Sequence, residues 1–443
     1  MPNPGGIHPL NRAVSRRRLL QFGVPAFGMG LADVLRARAV ARTNIPSSSA
    51  RKRSLIVFWT HGGLSQQDTY DMKPDAPAQF RGPYRPIPTT APGVFVTERF
   101  PRQAQVMDRL SLVRSVQHGN AIHAPSAHWM QTGYFGPTLA RNAPQKPSFG
   151  SVIARAAGPR SPEMPAYVTI PKSEAFGYQG SLYLGAASQP FEVGADPNSA
   201  DFRVANLALP DGLTLDAVRS RSAALREFDS LRRDIDTSGV LKGLDAFKTQ
   251  ALEMVTGDHV RRAFDIREED PRLRDRYGRH LYGQGALLAR RLIEAGSTCV
   301  TVNTGYWDHH TDIEKNLEEH LTPLDQAIAT LVEDLDQRGM LDDVLILCAG
   351  EFGRTPIING NAGRDHWANC FTVVLGGGGL NGGRIVGASE SRGGDVRERP
   401  VSPQDVLATI YRSLDIPLDL HFPDASGRPV SIVGAGKPIE ELF

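Results

Sequence analysis

The amino-acid sequence predicts an α/β protein: a three-layer α/β/α sandwich around a mostly parallel central sheet. Three observations carry this expectation. Short continuous apolar runs of strand length recur along the chain, as expected of strands buried on both faces. Amphipathic stretches with apolar residues three and four apart stand between several of them. Strand, helix, strand in this rhythm implies right-handed parallel crossovers with helices on both sheet faces.

In chain order, 54–60 (Ser-Leu-Ile-Val-Phe-Trp-Thr) is the first strand, followed by His61-Gly62-Gly63. Pro-rich text from 73 to 101 reads as a loop excursion, and 110–114 as a second strand. A helix opens near Pro125, with proline in its first turn. The third strand, 166–170, is stopped by Pro171. Residues 213–296 form a helical insertion, with helices at 215–235, 241–255 and 281–295, the last closed by Gly296. A strand at 297–303, a long helix at 317–338 ending before Gly339, and strands at 343–349 and 371–375 complete the pattern. Within the insertion, the pairs Arg261-Arg262 and Arg290-Arg291 read as solvated helix faces, and 270–279 as a charged helix start.

The chain has 443 residues, 40% hydrophobic and 22% charged, which fits a folded protein. A formal net charge of +2 gives no electrostatic footprint for nucleic acid. Three cysteines allow one bridge at most, and all three fall in or beside apolar runs, as buried small hydrophobes do. Residues 1–41 hold six arginines and one acid. They run from Ser15-Arg16-Arg17-Arg18-Leu19-Leu20 through a glycine-broken apolar stretch to Ala39-Val40-Ala41, a small-residue cleavage pattern. This order resembles a twin-arginine export signal. It predicts recognition by the twin-arginine translocase, a periplasmic or secreted destination, a polar linker at 42–53, and one domain at 54–443. No segment of the mature chain is long and apolar enough for a transmembrane helix.

The polar chemistry gathers at strand ends, where open parallel sheets bind ligands. After the first strand come His61 and Asp68; after the second, His118, His123, Ser126 and His128; after 297–303, Asp308, His309 and His310; after 343–349, Glu351 and Arg354. Asp365 and His366 precede the 371–375 strand. Seven of the twelve histidines lie on these loops. Imidazole and carboxylate are the usual ligands of zinc, manganese or iron, and a pair of such ions can clamp a phosphoryl or sulfuryl transfer. Taken singly, each has a plainer explanation: turn formation for Asp68, solvent or a helix cap for His128, an ion pair with Arg354 for Glu351. The joint pattern points to a metal or anion site.

The ordered motifs resemble a known family. Phe58-Trp59-Thr60-His61-Gly62-Gly63, Asp68-Thr69-Tyr70-Asp71-Met72-Lys73-Pro74, Trp307-Asp308-His309-His310, Glu351-Phe352-Gly353-Arg354-Thr355-Pro356 and Asp365-His366 are similar to the bacterial domain-of-unknown-function 1501 family. The segment 324–353, and 123–134 with its Pro-Ser and Thr-Gly, resemble the alkaline-phosphatase/sulfatase/phosphoglycerate-mutase superfamily. The resemblance implies an alkaline-phosphatase-like fold. It also implies a metal site in which Asp308, His310 and His366 take the places of superfamily ligands. His123 stands where a Ser, Thr or modified Cys nucleophile is expected, and Glu351-Phe352 where Asp-His is expected.

These readings together predict an exported, metal-dependent hydrolase of phosphate or sulfate esters. His61, Asp68, Asp308, His310, Glu351, Asp365 and His366 would hold the metal, zinc foremost, with manganese, calcium or iron as alternatives. His123 would serve as nucleophile, ligand or general acid/base, Ser126 would remain as a nearby hydroxyl, and Arg354 would steady anionic oxygens bidentately. The substrate would be an anionic small-molecule or polysaccharide ester. The alternatives are a noncatalytic relative that binds an anionic glycan or a partner protein, and a redox protein using iron or copper.

Overall fold

A computed structural model describes residues 53–136, 145–173, 178–204, 207 and 257–443. The expected export signal, nearly all of the 42–53 linker and the insertion helices at 215–235 and 241–255 lie outside the described residues. Lys52–Phe443 forms one compact unit.

Eight strands make one sheet. They are β1 (Ser54–Trp59), β2 (Leu110–Val116), β3 (Tyr167–Ile170), β4 (Phe191–Glu192), β5 (Cys299–Asn303), β6 (Val344–Ala349), β7 (Phe371–Gly377) and β8 (Ile385–Val386). Their spatial order is β8-β2-β7-β6-β1-β5-β3-β4. β1 pairs parallel with β5 on one side and β6 on the other, Phe58 lying level with Val302 and Cys348. β7 alone in this sheet runs antiparallel to its neighbours β6 and β2. Its link from β6 contains no helix, so the chain turns back rather than crossing over. As a result the start of β7 lies at the same sheet edge as the ends of β1, β2, β5 and β6.

Both faces are buried, as the unbroken apolar runs require. On β1, Ile56 and Phe58 enter one core cluster, while Leu55, Val57 and Trp59 enter the other. The first cluster is covered by helices within Asp258–Phe264, Pro271–Tyr277, Leu281–Ala295 and Ile313–Gln337. The second is covered by His123–Thr132, Phe149–Ala157 and Pro403–Ser413. The protein is thus a three-layer α/β/α sandwich. In the 313–337 helix, Leu317, Leu321, Leu324, Ile328, Leu331 and Leu335 are all buried, the three-and-four spacing of an inward stripe. The 281–295 helix ends at Gly296, whose φ of 123° a side chain would resist. All three cysteines are buried and free. Among the described residues no helix is long and apolar enough to cross a membrane.

One charged pair departs from expectation. Arg261 and Arg262 face solvent, but Arg290 is 1% exposed. It reaches Glu269, Glu294 and Asp334 at 2.7–3.1 Å. Three acids compensate a guanidinium taken out of water, which a solvated face would not need.

Candidate metal centre

The sheet edge does gather the strand-end residues. β1 ends in the Gly62-Gly63 turn, where both φ angles are positive (100° and 96°). A side chain at Gly62 would meet the Asp308 amide at 2.7 Å, so glycine here lets the β1 and β5 loops touch. The 123–132 helix begins two residues before the expected Pro125, which sits in its first turn where no N–H is needed. His123 is therefore the first helical residue and stands at the edge itself. Asp308 and His310 follow β5. Glu351 follows β6. His366 lies on a two-residue strand paired with Gly353–Arg354, just ahead of the reversed β7.

Asp308 is the hub. Its Oδ2 lies 3.1 Å from His123 Nε2. Its Oδ1 lies 3.0 Å from His366 Nε2 and 2.9 Å from His310 Nε2. The two Nε2 atoms of His310 and His366 are 3.0 Å apart. Tyr306 donates its phenol proton to Asp308 Oδ2 at 2.6 Å, and Arg354 donates to Oδ1. Burial opposes ionisation of Asp308, yet hydrogen bonds from His123, His366 and Tyr306 and the Arg354 charge hold its carboxyl far below the usual range.

Each imidazole is held from behind. His123 Nδ1 faces Glu351 Oε1 at 2.6 Å, His310 Nδ1 faces Asp365 Oδ1 at 2.7 Å, and His366 Nδ1 faces the Ala121 carbonyl at 2.8 Å. A carboxylate or carbonyl oxygen has no proton to give, so Nδ1 carries the proton in all three rings. The three Nε2 atoms then converge on Asp308, where a bound cation would take the place of any proton they hold. Burial pulls His123 down, but its bonds to Asp308 and Glu351 prevail and raise it to about 9. A ring with acids at both nitrogens favours a positive charge between them.

The arrangement fits a cation. His123, Asp308 and His366 each offer a ligand atom, all within 4.8 Å of one another. Metal–nitrogen bonds near 2 Å put neighbouring ligands of a tetrahedral ion about 3.3 Å apart. The separations of 2.9–3.1 Å from Asp308 oxygens to each Nε2, and of 3.0 Å between the His310 and His366 Nε2 atoms, are close to that spacing. An imidazole whose Nδ1 is tied to a carboxylate or carbonyl is the usual support for a metal-ligating Nε2. Glu351 adds a second observation. It is fully buried, its Oε1 accepts from Gly62 N at 2.7 Å, and its Oε2 has no hydrogen-bond partner. A buried orphan carboxylate oxygen calls for positive charge nearby. Phe352 stacks on the His366 ring, centroids 4.7 Å apart, and lies 5.0 Å from the His123 ring, an apolar support for both.

Other expected site residues are placed differently. Asp68 is fully buried, 2.8 Å from Arg364 Nε, and is taken up by that guanidinium rather than by the histidines. Ser126 donates to the Asn120 carbonyl at 2.8 Å, tying the loop before its helix, so it is not a hydroxyl waiting at the centre. Arg354 is buried, and its Nε and both terminal nitrogens donate to Gly63, Arg364 and Gly62 carbonyls and to Asp308. It holds Asp308 and its loops together and is not presented to an anionic substrate. Glu351 pairs with His123, not with Arg354. Asp365 orients His310 from outside. His128 neither faces solvent nor caps: its Nδ1 donates to the Tyr134 carbonyl, and its Nε2 accepts from the Gln145 and Lys146 amides. His61 packs at the rim, its ring 5.3 Å from that of Tyr306. Tyr306 itself carries no sequence signal beyond its place two residues before Asp308.

Asp365→Asn tests the support geometry. It weakens the acceptor behind His310 and is expected to cost 10–100-fold in zinc affinity, read by competition with a chromogenic chelator. Unchanged affinity would mean that His310 is not a ligand.

The chain belongs to the DUF1501 family, whose model, described as "Protein of unknown function (DUF1501)", matches residues 52–443. No curated protein matches the chain. Among solved structures it is similar to the PsFucS1 sulfatase from Pseudoalteromonas sp., at 12% identity and TM-score 0.38, over 86% of this chain and 71% of that one. It is similar to the phosphonate monoester hydrolase SpPMH from Silicibacter pomeroyi, at 11% identity and TM-score 0.36, over 88% and 76%. A third is Ps i-CgsB in complex with k-i-k-neocarrahexaose, at 10% identity and TM-score 0.38, over 83% and 72%. At these identities and scores none of them carries a residue or an activity over to this chain.

Proposed function

We propose that the protein is an exported, metal-dependent hydrolase of phosphate or sulfate esters. One observation carries the reading: three imidazoles, each pinned at Nδ1, turn their Nε2 atoms onto one carboxylate at the sheet edge. His123, His310, His366 and Asp308 would hold the ion. Three nitrogens and one oxygen suit zinc, then manganese or iron, and suit calcium poorly because it prefers oxygen ligands. Such an ion supplies Lewis acidity to an ester oxygen and activates water at neutral pH.

The chain's own residues do the rest. Glu351 and Asp365 orient His123 and His310, the Ala121 carbonyl orients His366, and Arg354 fixes Asp308. Both His123 nitrogens face acids, which disfavours a nucleophile; a cation beside Asp308 would displace the Nε2 proton and make the ring a ligand. Ser126 is engaged with Asn120, so water is left as the attacking group. The same facts leave room for the noncatalytic reading, since neither a serine hydroxyl nor Arg354 waits for a substrate.

Metal analysis of protein matured in its native host, with a panel of aryl phosphate and sulfate esters, separates the readings. About one ion per chain, with hydrolysis lost to a chelator and restored by zinc, is expected. A metal-free protein ends the proposal. Metal without turnover favours a binding module for an anionic glycan or a partner protein.

Export is tested separately. Changing Arg16 and Arg17 together to Lys is expected to leave the protein in the cytoplasmic fraction, while the wild type appears outside it. Equal export of both would exclude the twin-arginine route.

A further inference from the structure

We infer that Tyr306 is the oxyanion-binding residue of this centre, its phenol donating a hydrogen bond to an oxygen of a tetrahedral phosphate or sulfate group held at the ion; this rests on the metal-dependent reading above. Among the described residues, His123, His310, His366, Arg354 and Tyr306 hydrogen-bond or ion-pair with Asp308. An imidazole that ligates through Nε2 while its Nδ1 proton is bound elsewhere has no proton left for a substrate. That removes the three histidines as donors. Arg354 has protons, but it is 1% exposed, and its Nε and both terminal nitrogens already donate to three carbonyls and to Asp308. Tyr306 is the remaining member of the set. It is 47% exposed, so a ligand can reach it, and its hydroxyl sits 2.6 Å from Asp308 Oδ2.

The same contact explains how the donor is held and then released. Tyr306 Oη is tied to the oxygen that also faces His123 Nε2. An oxygen that binds a cation would be a poorer acceptor, and the phenol proton would then turn to a neighbouring oxyanion. Placement is set by the backbone: Trp307 donates its amide to the His61 carbonyl at 2.9 Å and its indole N–H to the Thr304 carbonyl at 2.7 Å, locking the residues on either side of Tyr306. The His61 ring braces the phenol from the side. An oxyanion bound only by the ion and this phenol would be recognised by shape and charge, without the bidentate arginine clamp expected from the sequence.

Tyr306→Phe removes the hydroxyl and keeps the ring. The test uses full-length mature protein loaded with zinc and inorganic phosphate or vanadate as probe, with zinc content measured in the same samples. The variant is expected to keep its zinc and to bind the probe about 10-fold more weakly, the loss of one hydrogen bond to a charged group. If a chromogenic ester is turned over, kcat should fall by a similar factor with zinc content unchanged. Equal probe affinity in both proteins overturns the inference. A variant that loses zinc overturns it too, because Tyr306 would then only support Asp308. Wild type that takes up no zinc fails the metal-dependent reading itself and the inference with it; wild type that holds zinc but binds no probe overturns the inference alone.

Discussion

Asp308→Asn is expected to empty the centre. Zinc that survives dialysis in the wild type should be absent from the variant, with affinity reduced by about three orders of magnitude, beyond the 10–100-fold typical of a supporting residue. The reason is geometric. One carboxylate faces three imidazole Nε2 atoms, at 2.9, 3.0 and 3.1 Å. The amide removes the negative charge they share and points an N–H group at one of its neighbours. The fold should survive in weakened form. Arg354 loses a charged acceptor, worth about 1.5–3 kcal/mol, but keeps the Gly62, Gly63 and Arg364 carbonyls. Metal stoichiometry by elemental analysis and thermal unfolding, measured on one preparation, separate the two effects. A folded Asp308→Asn protein with stoichiometric zinc would show that the converging histidines are a hydrogen-bond network and nothing more.

How far the site could be read from the sequence depends on what each residue's neighbours are. Asp308, His310 and His366 were legible because imidazoles and acids recur directly after apolar strands, and parallel strands end at a common edge. His366 was reachable only as part of a motif preceding a strand; that it joins the others follows from the reversal of β7. Arg354 and Asp68 were not legible in their actual roles. Nothing local says that a guanidinium is surrounded by carbonyls from residues 62, 63 and 364, or that an Asp in a turn-like segment meets an arginine nearly three hundred residues later. Tyr306 was missed for the same reason: a phenol next to a Trp-Asp-His-His run looks like ordinary loop aromaticity until Asp308 turns back towards it.

The fold was more legible because its signals are local. The runs at 54–60 and 343–349 are apolar on both faces, and β1 and β6 fall within one residue of them. Arg290 shows the limit. Within its helix the pair Arg290-Arg291 reads as a charged stripe, yet tertiary packing supplies Glu269 and Asp334 from elsewhere and draws the first arginine inside. Periodicity reports which face is apolar on average. It cannot report that a particular cation is met by acids from other elements.

Asp68→Ala is expected to damage the fold and spare the metal. Asp68 and Arg364 are both fully buried, with Nε–Oδ2 at 2.8 Å and a terminal nitrogen 3.1 Å from Oδ1. Ser65 also donates to Oδ2 at 2.5 Å, and the positive-φ Gly82 passes so close that a side chain there would collide with Oδ1. The same guanidinium donates to the Phe80, Thr355 and Pro356 carbonyls, so one ion pair ties the 64–71 loop to the segment leading into Asp365 and His366. Removing the carboxylate leaves an uncompensated buried charge, a loss of about 3–5 kcal/mol. Replacing Arg364 by Met as well takes the orphan charge away and should restore part of that loss, because two apolar side chains do not need each other's charge. The folded fraction of Asp68→Ala should still bind one zinc ion, since its neighbours in the structure are Arg364 and Ser65 rather than the converging histidines. A metal ligand would instead lose zinc from its folded fraction, so the zinc content of folded Asp68→Ala protein decides whether Asp68 holds a metal or a loop.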